Sequence, residues 1–376
     1  MILRAALVLG LLAGPAWSQA TPSEAAQAAA EQLSDATDKL EAAETARDRV
    51  RALTSTVQAY EAGLTAMRDG LRRAALREAQ LSRKLQAQDQ DIAKLLGTLQ
   101  TIAASPPPVL MLHPDGPMGT ARSAMMLADV TPGLNARAQV LRRDLEEVQT
   151  LRLLQQNAAN TLAEGLSGVQ VARAELSKAV ADRTDLPQRF IEDPVRTAIL
   201  ISAVETLDGF ASGLSEMTSA DIPPSNADIS AQRGDLPLPV QGVILRRAGE
   251  ADAAGITRQG MVMATRPRAL VTTPTAATIR YLGPLLDLGN VVILEPQADM
   301  LMVLSGLDQV FGAVGQVIPR DAPVGLMGGA DPEIGTILST SGDGTGSERS
   351  ETLYIEIREK NAPVDPEIWF KTDKNG

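Results

Sequence analysis

Between residues 50 and 102 apolar side chains recur at an interval of seven, and this repeat restricts the first half of the chain to long helices. One series runs Val50, Val57, Leu64, Leu71, Glu78, Leu85, Ile92, Leu99, and its companion Leu53, Tyr60, Met67, Ala74, Leu81, Gln88, Leu95, Ile102. Only Glu78 and Gln88 interrupt it, and no proline falls between Pro22 and Ser105. A 3.5-residue period sustained this long is the signature of a coiled coil. At 1.5 Å per residue, about 75 residues make a rod of roughly 110 Å. Ser105-Pro-Pro-Pro108 stops it, because consecutive prolines lack amide donors and clash with the preceding turn.

A second heptad run follows, with Leu134, Leu141, Val148, Gln155, Leu162, Val169, Leu176 and Ala138, Leu145, Arg152, Ala159, Leu166, Arg173, Val180 as its two series. It reads as the antiparallel return helix of an intramolecular hairpin spanning 22–183, with a compact helical tip near 105–133. Asp185-Leu-Pro187 ends it. Apolar residues at helical spacing then predict short helices over 187–220, and a Pro/Ser/Asp-rich stretch predicts a linker over 221–233.

From Gly234 the period changes to two. "GVILRR", "GMVMAT", "ALVTTP", "ATIRYLG", "NVVILEP", "MLMVLSGL", "APVGLMGG" and "TLYIEIR" read as strands of a small all-β domain over 234–371. The expected fold is therefore α+β and multidomain, a long antiparallel coiled-coil hairpin followed by a small β domain. The net charge of −11 excludes nucleic acid as a partner, since neutralising phosphates needs a basic surface.

Met1-Ile-Leu-Arg4 followed by the apolar run Ala5–Gly14 and Ala16-Trp17-Ser18 has the layout of a cleaved signal peptide, residues 1–18. The run is shorter than the roughly 20 residues a membrane span needs. Export to the periplasm is expected, and a chain without cysteine suits that address without proving it.

The β domain resembles the LytM, or M23 peptidase, fold through "GDLPLPVQG", "RQGMVMA", "NVVILEP", "MLMVLSGL" and "TLYIEIREKNAPVDPEIWF". The whole layout resembles the murein hydrolase activators of the EnvC type. The resemblance places the peptidases' metal-binding and catalytic positions at Arg258, Val262, Gly306, Thr352 and Tyr354. None of these is a ligand residue, and the chain holds one histidine and no cysteine. A catalytic zinc takes three protein ligands from His, Cys and carboxylates, so no zinc hydrolase site of this kind is expected and no cofactor either. Serine nucleophiles lack a histidine base as well. His113 sits alone between Leu112 and Pro114 and reads as a loop residue, and the Gly/Ser loops "SGDGTG" and "GSERSE" lack a phosphate-loop frame.

In the activators the metal-free cleft receives a regulatory helix of an N-acetylmuramoyl-L-alanine amidase. Motif by motif, the resemblance then implies a partner-binding groove lined by Gln259, Leu288, Val291, Leu304, Tyr354 and Arg358. Leu288, Val291 and Leu304 also read as ordinary core, and Arg358 as a solvated charge. The resemblance further implies that the hairpin tip, about residues 95–140, binds the division-associated FtsE–FtsX complex. It also implies that the helices near 190–220 cover the groove at rest. The function expected is a non-enzymatic activator of peptidoglycan amidases in septal cell-wall splitting. The alternative is a periplasmic coiled-coil adaptor or scaffold that binds septal peptidoglycan or an envelope transporter.

Overall fold

The computed structural model describes residues 22–104, 116–184, 186–190, 193–221, 228–252, 254–330 and 351–372. The signal segment, the Pro106–Pro108 run, His113 and most of the Gly/Ser loops fall outside these ranges. The helical half comprises α1 (Pro22–Glu41), α2 (Ala46–Ala87), α3 (Asp89–Ala104) and α4 (Gly116–Ala181). Helices α5 (Pro194–Ala203) and α6 (Leu207–Asp221) lead into the sheet. Among the described residues no helix is long and apolar enough to cross a membrane.

Helices α2 and α4 run antiparallel, since rising numbers on one meet falling numbers on the other. Glu61 pairs with Arg173, Arg77 with Glu147 at 2.7 Å and Lys84 with Asp144 at 2.6 Å. Val50, Leu53, Val57, Leu64 and Leu71 bury against Leu162, Leu166, Val169 and Leu176, and this apolar seam supplies most of the attraction. The polar interruptions of the two heptad runs face one another: Arg152 donates to Glu78 at 2.9 Å, and Gln155 reaches the same carboxylate at 3.5 Å. An exposed pair of this kind adds little energy, but a polar residue in an apolar seam fixes register.

Three features depart from the expected rod. Helix α1 is a separate element that folds back on α2, so that Ala29 lies 3.5 Å from where a side chain on Gly63 would begin. The turn is made at Thr45, whose hydroxyl accepts the Asp48 amide at 3.1 Å and caps α2. Small residues at Ala29, Ala36, Ala52 and Ala59 let the helices approach closely, an interaction that a search for large apolar heptads does not register. The rod also breaks at Gln88, the second polar interruption. Residues 116–133 belong to α4 rather than to a compact tip, and Pro132 sits inside that helix without ending it.

The β domain contains β1 (Gly242–Arg246), β2 (Met261–Thr265), β3 (Leu270–Thr272), β4 (Ala277–Pro284) and β5 (Asn290–Glu295). It continues with β6 (Met300–Val310), β7 (Val317–Ile318), β8 (Pro323–Met327), β9 (Glu351–Glu359) and β10 (Ala362–Val364). All pairings between these strands are antiparallel, and the main order is β1-β2-β9-β6-β5-β4-β7. Strand β6 shows the alternation that divides the two faces. Met300, Met302 and Leu304 point into the main core with Val292, Leu294, Ile355 and Ile357, while Leu301 and Val303 point to the opposite face. Trp369 and Phe370 close the main core. The expected linker is in part a packed segment: Ile229 is buried there, and its amide donates to Gln297 at 2.9 Å.

Two contacts tie the halves together. Glu61 of α2 accepts from Arg173 of α4 at 3.0 Å and from the backbone amide of Leu270 in β3 at 3.0 Å. Leu270, Phe311 and Leu326 extend the helical seam into the sheet. Beyond α4, residues 186–190 lie along β7: Pro187 accepts the Val317 amide at 2.9 Å and the Arg189 amide donates to Gly315 at 2.8 Å.

Glu61 and Arg173 are both buried, so removing one leaves the other without its counter-charge. Glu61→Ala is expected to cost about 3–5 kcal/mol in urea denaturation, and Glu61→Gln less, because Gln keeps an acceptor for Leu270. Burial pushes the Glu61 carboxyl above its ordinary 4.5, outweighing the pull of Arg173. Between 4.5 and the raised value, the folded chain holds a proton that the unfolded chain has released. The stability of the wild type relative to Glu61→Gln is therefore expected to fall as pH rises above 4.5 in paired melts.

Candidate functional site

Strand pairing lines up the residues of one sheet face in rows. Val262 lies opposite Tyr354, Tyr354 opposite Ser305, Ser305 opposite Val291 and Val291 opposite Gly283. The next row is Glu356, Val303, Ile293 and Tyr281, and Arg358 lies opposite Leu301 beyond it. On the other side of the Tyr354 row are Val243, Ala264 and Thr352. The "YIEIR" stretch of β9 thus presents Tyr354, Glu356 and Arg358 on this face and sends Ile355 and Ile357 to the core.

The three polar side chains of β9 form one chain of hydrogen bonds. The Gly260 amide donates to the Tyr354 hydroxyl at 2.9 Å, and that hydroxyl donates to Glu356 Oε2 at 2.6 Å. Arg358 Nη1 donates to Glu356 Oε1 at 2.8 Å, and its Nη2 to the Asn361 carbonyl at 2.7 Å. Burial, reinforced by the Glu356 charge, holds the Tyr354 phenol well above its ordinary value, so it is a donor throughout the physiological range. Gly260 is required beneath it, since a Cβ there would come within 2.7 Å of the Tyr354 ring and 2.3 Å of the Ile355 carbonyl.

The five positions that the motif resemblance singled out, Arg258, Val262, Gly306, Thr352 and Tyr354, lie on or beside β2, β6 and β9. Val262 and Tyr354 are direct cross-strand partners, and the exposed Arg258 guanidinium lies 5.9 Å over the Tyr354 ring. Gly306 sits against Thr352, with φ of 95° and only 2.5 Å between a would-be Cβ and the Thr352 carbonyl. No side chain fits at Gly306 unless the backbone moves. Among the described residues no group of three or more His, Cys, Asp or Glu could hold a metal ion.

Of the six expected groove residues, Val291, Tyr354 and Arg358 lie on this face, Leu288 packs at its margin and Gln259 is exposed at the rim. Leu304 does not belong to it. The alternation of β6 buries its side chain in the main core, and Ser305 takes the position on the face. Arg358 is not a solvated charge either, being 2% exposed.

Helix α6 covers one half of the face. Phe210, Ala211 and Leu214 are buried against Tyr281, Leu285, Val291, Ile293, Leu301 and Val303, with Leu200, Ile201 and Val204 of the α5 segment packed alongside. The Phe210 ring meets Tyr281 edge-on at 4.8 Å between centroids. Asp208 of the same helix reaches Arg358 Nη2 at 2.7 Å. Sequence reading placed helices in this region but singled out none of these residues. Their signal was the Asp-x-Phe-Ala-x-x-Leu spacing, which puts an acid, a ring and a Leu within reach of one surface.

No family model matches the sequence, and no curated protein does. Among solved structures the chain is similar to a protein described as an M23 peptidase from Pseudomonas aeruginosa, at 18% identity and a TM-score of 0.31, covering 47% of this chain and 63% of that one. It is similar to a zinc-containing peptidase from Vibrio cholerae at 19% identity and a TM-score of 0.27, covering 35% and 38% respectively. A third is the catalytic domain of lysostaphin from Staphylococcus simulans, at 15% identity and a TM-score of 0.26, covering 33% and 89%. The chain thus spans less than two thirds of the first two.

Tyr354→Phe removes the acceptor for Gly260 and the donor to Glu356, and is expected to cost about 1–3 kcal/mol in thermal or urea denaturation. With no group of three or more His, Cys, Asp or Glu among the described residues placed to hold a metal ion, a chelator is expected to leave the melting temperature unchanged, and equilibrium dialysis to show no stoichiometric zinc.

Proposed function

We propose that the chain is a non-enzymatic activator of peptidoglycan amidases, exported to the periplasm and acting at septal cell-wall splitting. The LytM-like face of its sheet binds a helix of the amidase. The observation that supports this most is the seat of α6: an amphipathic helix already lies on the face that carries the five substituted metal positions. A face built to hold one helix by apolar contact and one buried Arg is suited to hold another in exchange. The resting state is then the covered one, and activation is the departure of α6, a shift between two populations.

The substituted positions support the non-catalytic part of the reading. Val262 and Tyr354 occupy the centre of the former site with an apolar and a phenolic side chain. The Val262 side chain has no donor atom, and the Tyr354 hydroxyl is already engaged by the Gly260 amide and Glu356. The far end of the helical pair suits a second partner, for which the resemblance names the FtsE–FtsX complex. Met118, Met125, Met126 and Val130 in the first turns of α4 are all more than half exposed there, and methionine surfaces adapt to partners. Pulling or reorienting the helical pair from that end is the input the mechanism needs.

Phe210→Ala in the full chain tests the proposal. Truncating a fully buried Phe costs about 3–5 kcal/mol, and each 1.4 kcal/mol is tenfold, so the uncovered state is expected to gain at least about 100-fold. The variant is expected to stimulate the cognate amidase on purified peptidoglycan without FtsE–FtsX, while the wild type stimulates it weakly. Asp208→Ala is expected to act in the same direction but less. If neither the wild type nor either variant stimulates any amidase of the source organism, the activator reading is wrong.

A further inference from the structure

The seat of α6 specifies what a second occupant of the same face must look like. Its floor is Tyr281, Val291, Ile293, Leu301 and Val303, each at most 8% exposed and held in three neighbouring strands, β4, β5 and β6. A floor packed this closely and paired strand to strand keeps its shape whichever helix lies on it. Helix α6 meets it with one face. Asp208, Ala211 and Leu214 recur at an interval of three, and Phe210 lies one turn before Leu214, so all four share one side of the helix. Ala211 is fully buried, and the Phe210 ring meets Tyr281 edge-on.

The Arg358 end sets the direction. Asp208 stands in the first turn of α6, so the positive end of the helix dipole is brought to a guanidinium that is 2% exposed. Two positive groups brought together there oppose docking unless an acid stands between them, and Asp208 is that acid. Among the described residues Arg358 meets two carboxylates. Glu356 belongs to the sheet and stays, whereas Asp208 leaves with the helix. Arg358 Nε is buried and has no hydrogen-bond partner among the described residues, so the guanidinium keeps donor capacity beyond what α6 and the sheet use.

We infer that Arg358 selects the helix that replaces α6. That helix carries an acid in its first turn, an aromatic two residues on, a small residue next to it and a leucine three beyond, and it docks in the direction of α6. The inference rests on the activator reading, because it concerns the same seat and the same partner. The acid adds little affinity, since Asp208 itself is mostly exposed. Its part is exclusion. A helix with Lys or Arg in its first turn meets a buried like charge, which suppresses wrong partners. A helix laid in reverse brings its C-terminal carbonyls to Arg358 and needs no acid there.

The test uses the full chain carrying Phe210→Ala, in which the seat is open, and each purified N-acetylmuramoyl-L-alanine amidase of the source organism. A synthetic peptide of residues 193–221 competes with the amidase, followed by biolayer interferometry. The wild-type peptide is expected to displace the amidase, and an Asp208→Glu peptide to do so equally well. Asp208→Asn is expected to raise the half-inhibitory concentration about threefold, and Asp208→Lys at least about tenfold. On a chain that also carries Arg358→Met, or Arg358→Gln should that variant fail to fold, the Asp208→Lys penalty is expected to vanish. A penalty that persists there belongs to the peptide's own helix and overturns the role of Arg358. Hydrogen exchange then finds the amidase helix that gains protection, and Lys in place of its first-turn acid is expected to weaken binding about tenfold. An Asp208→Lys peptide as effective as the wild type, or a protected amidase helix without a first-turn acid, overturns the inference. A wild-type peptide that leaves the amidase bound overturns it too, by placing the partner outside the seat, while stimulation of the amidase can still stand. If no amidase binds the Phe210→Ala chain, the activator reading itself has failed, and this inference with it.

Discussion

The packing of Phe210 on Tyr281 is the contact on which the arrangement of this protein depends. Without α6, the outer face of β4–β6 would expose Tyr281, Val291, Ile293, Leu301 and Val303 as one apolar surface, of the kind soluble proteins seldom leave open. Something must cover it, and the sequence provides the cover in the segment just before the sheet. The ion pair between Asp208 and Arg358 plays a different part. The Asp208 side chain is 71% exposed, so the pair adds little energy and mainly sets how the helix lies. Burial decides whether α6 binds, and charge decides in which register.

The cover is held between fixed points. On one side, residues 186–190 are tied to β7, and Glu295 accepts from both Arg189 at 3.2 Å and Arg280 at 3.0 Å, with the Arg280 guanidinium 4.8 Å over the Phe190 ring. On the other, Ile229 is buried in the main core. The helical pair itself stands on the sheet through Glu61, whose carboxylate joins α2, α4 and β3. In the proposed exchange, release of α6 would be a local event within 193–221 that needs no separation of the helical pair from the β domain. A tethered cover also rebinds readily, because its effective concentration stays high.

Much of this architecture was legible in the sequence, for identifiable reasons. The eight apolar runs after Gly234 each carry a strand, since period-two alternation is the same signal in sequence and in a half-buried sheet. The pairing of α2 with α4 was readable because two heptad runs of similar length follow one another on either side of the proline run, while the meeting of Glu78 with Arg152 and Gln155 across the seam was visible only in the structure. The fold-back of α1 was not, because it uses alanines and a Thr45 cap instead of large apolar residues. The helix over 116–133 was hidden by Pro132, which a long, otherwise regular helix tolerates. At the face, Tyr354 and Arg358 came from the motif resemblance, and alternation along β9 puts both on one side. Leu304 was misplaced and Ser305 missed, because motif matching carries no register, and a one-residue slip sends a side chain to the other face. Glu356 stands between Tyr354 and Arg358 in both sequence and hydrogen bonding; alternation puts it on their face, but no motif marked it as a site residue.

The central claim is that α6 and the partner occupy the same surface in turn. Hydrogen–deuterium exchange on the full chain, free and mixed with the proposed partner, a purified N-acetylmuramoyl-L-alanine amidase of the source organism, tests it most directly. The account predicts that amides of residues 207–221 lose protection in the complex while those of 290–305 keep or gain it. Unchanged protection of 207–221 in a saturated complex would show that the partner binds elsewhere, with α6 still in its seat.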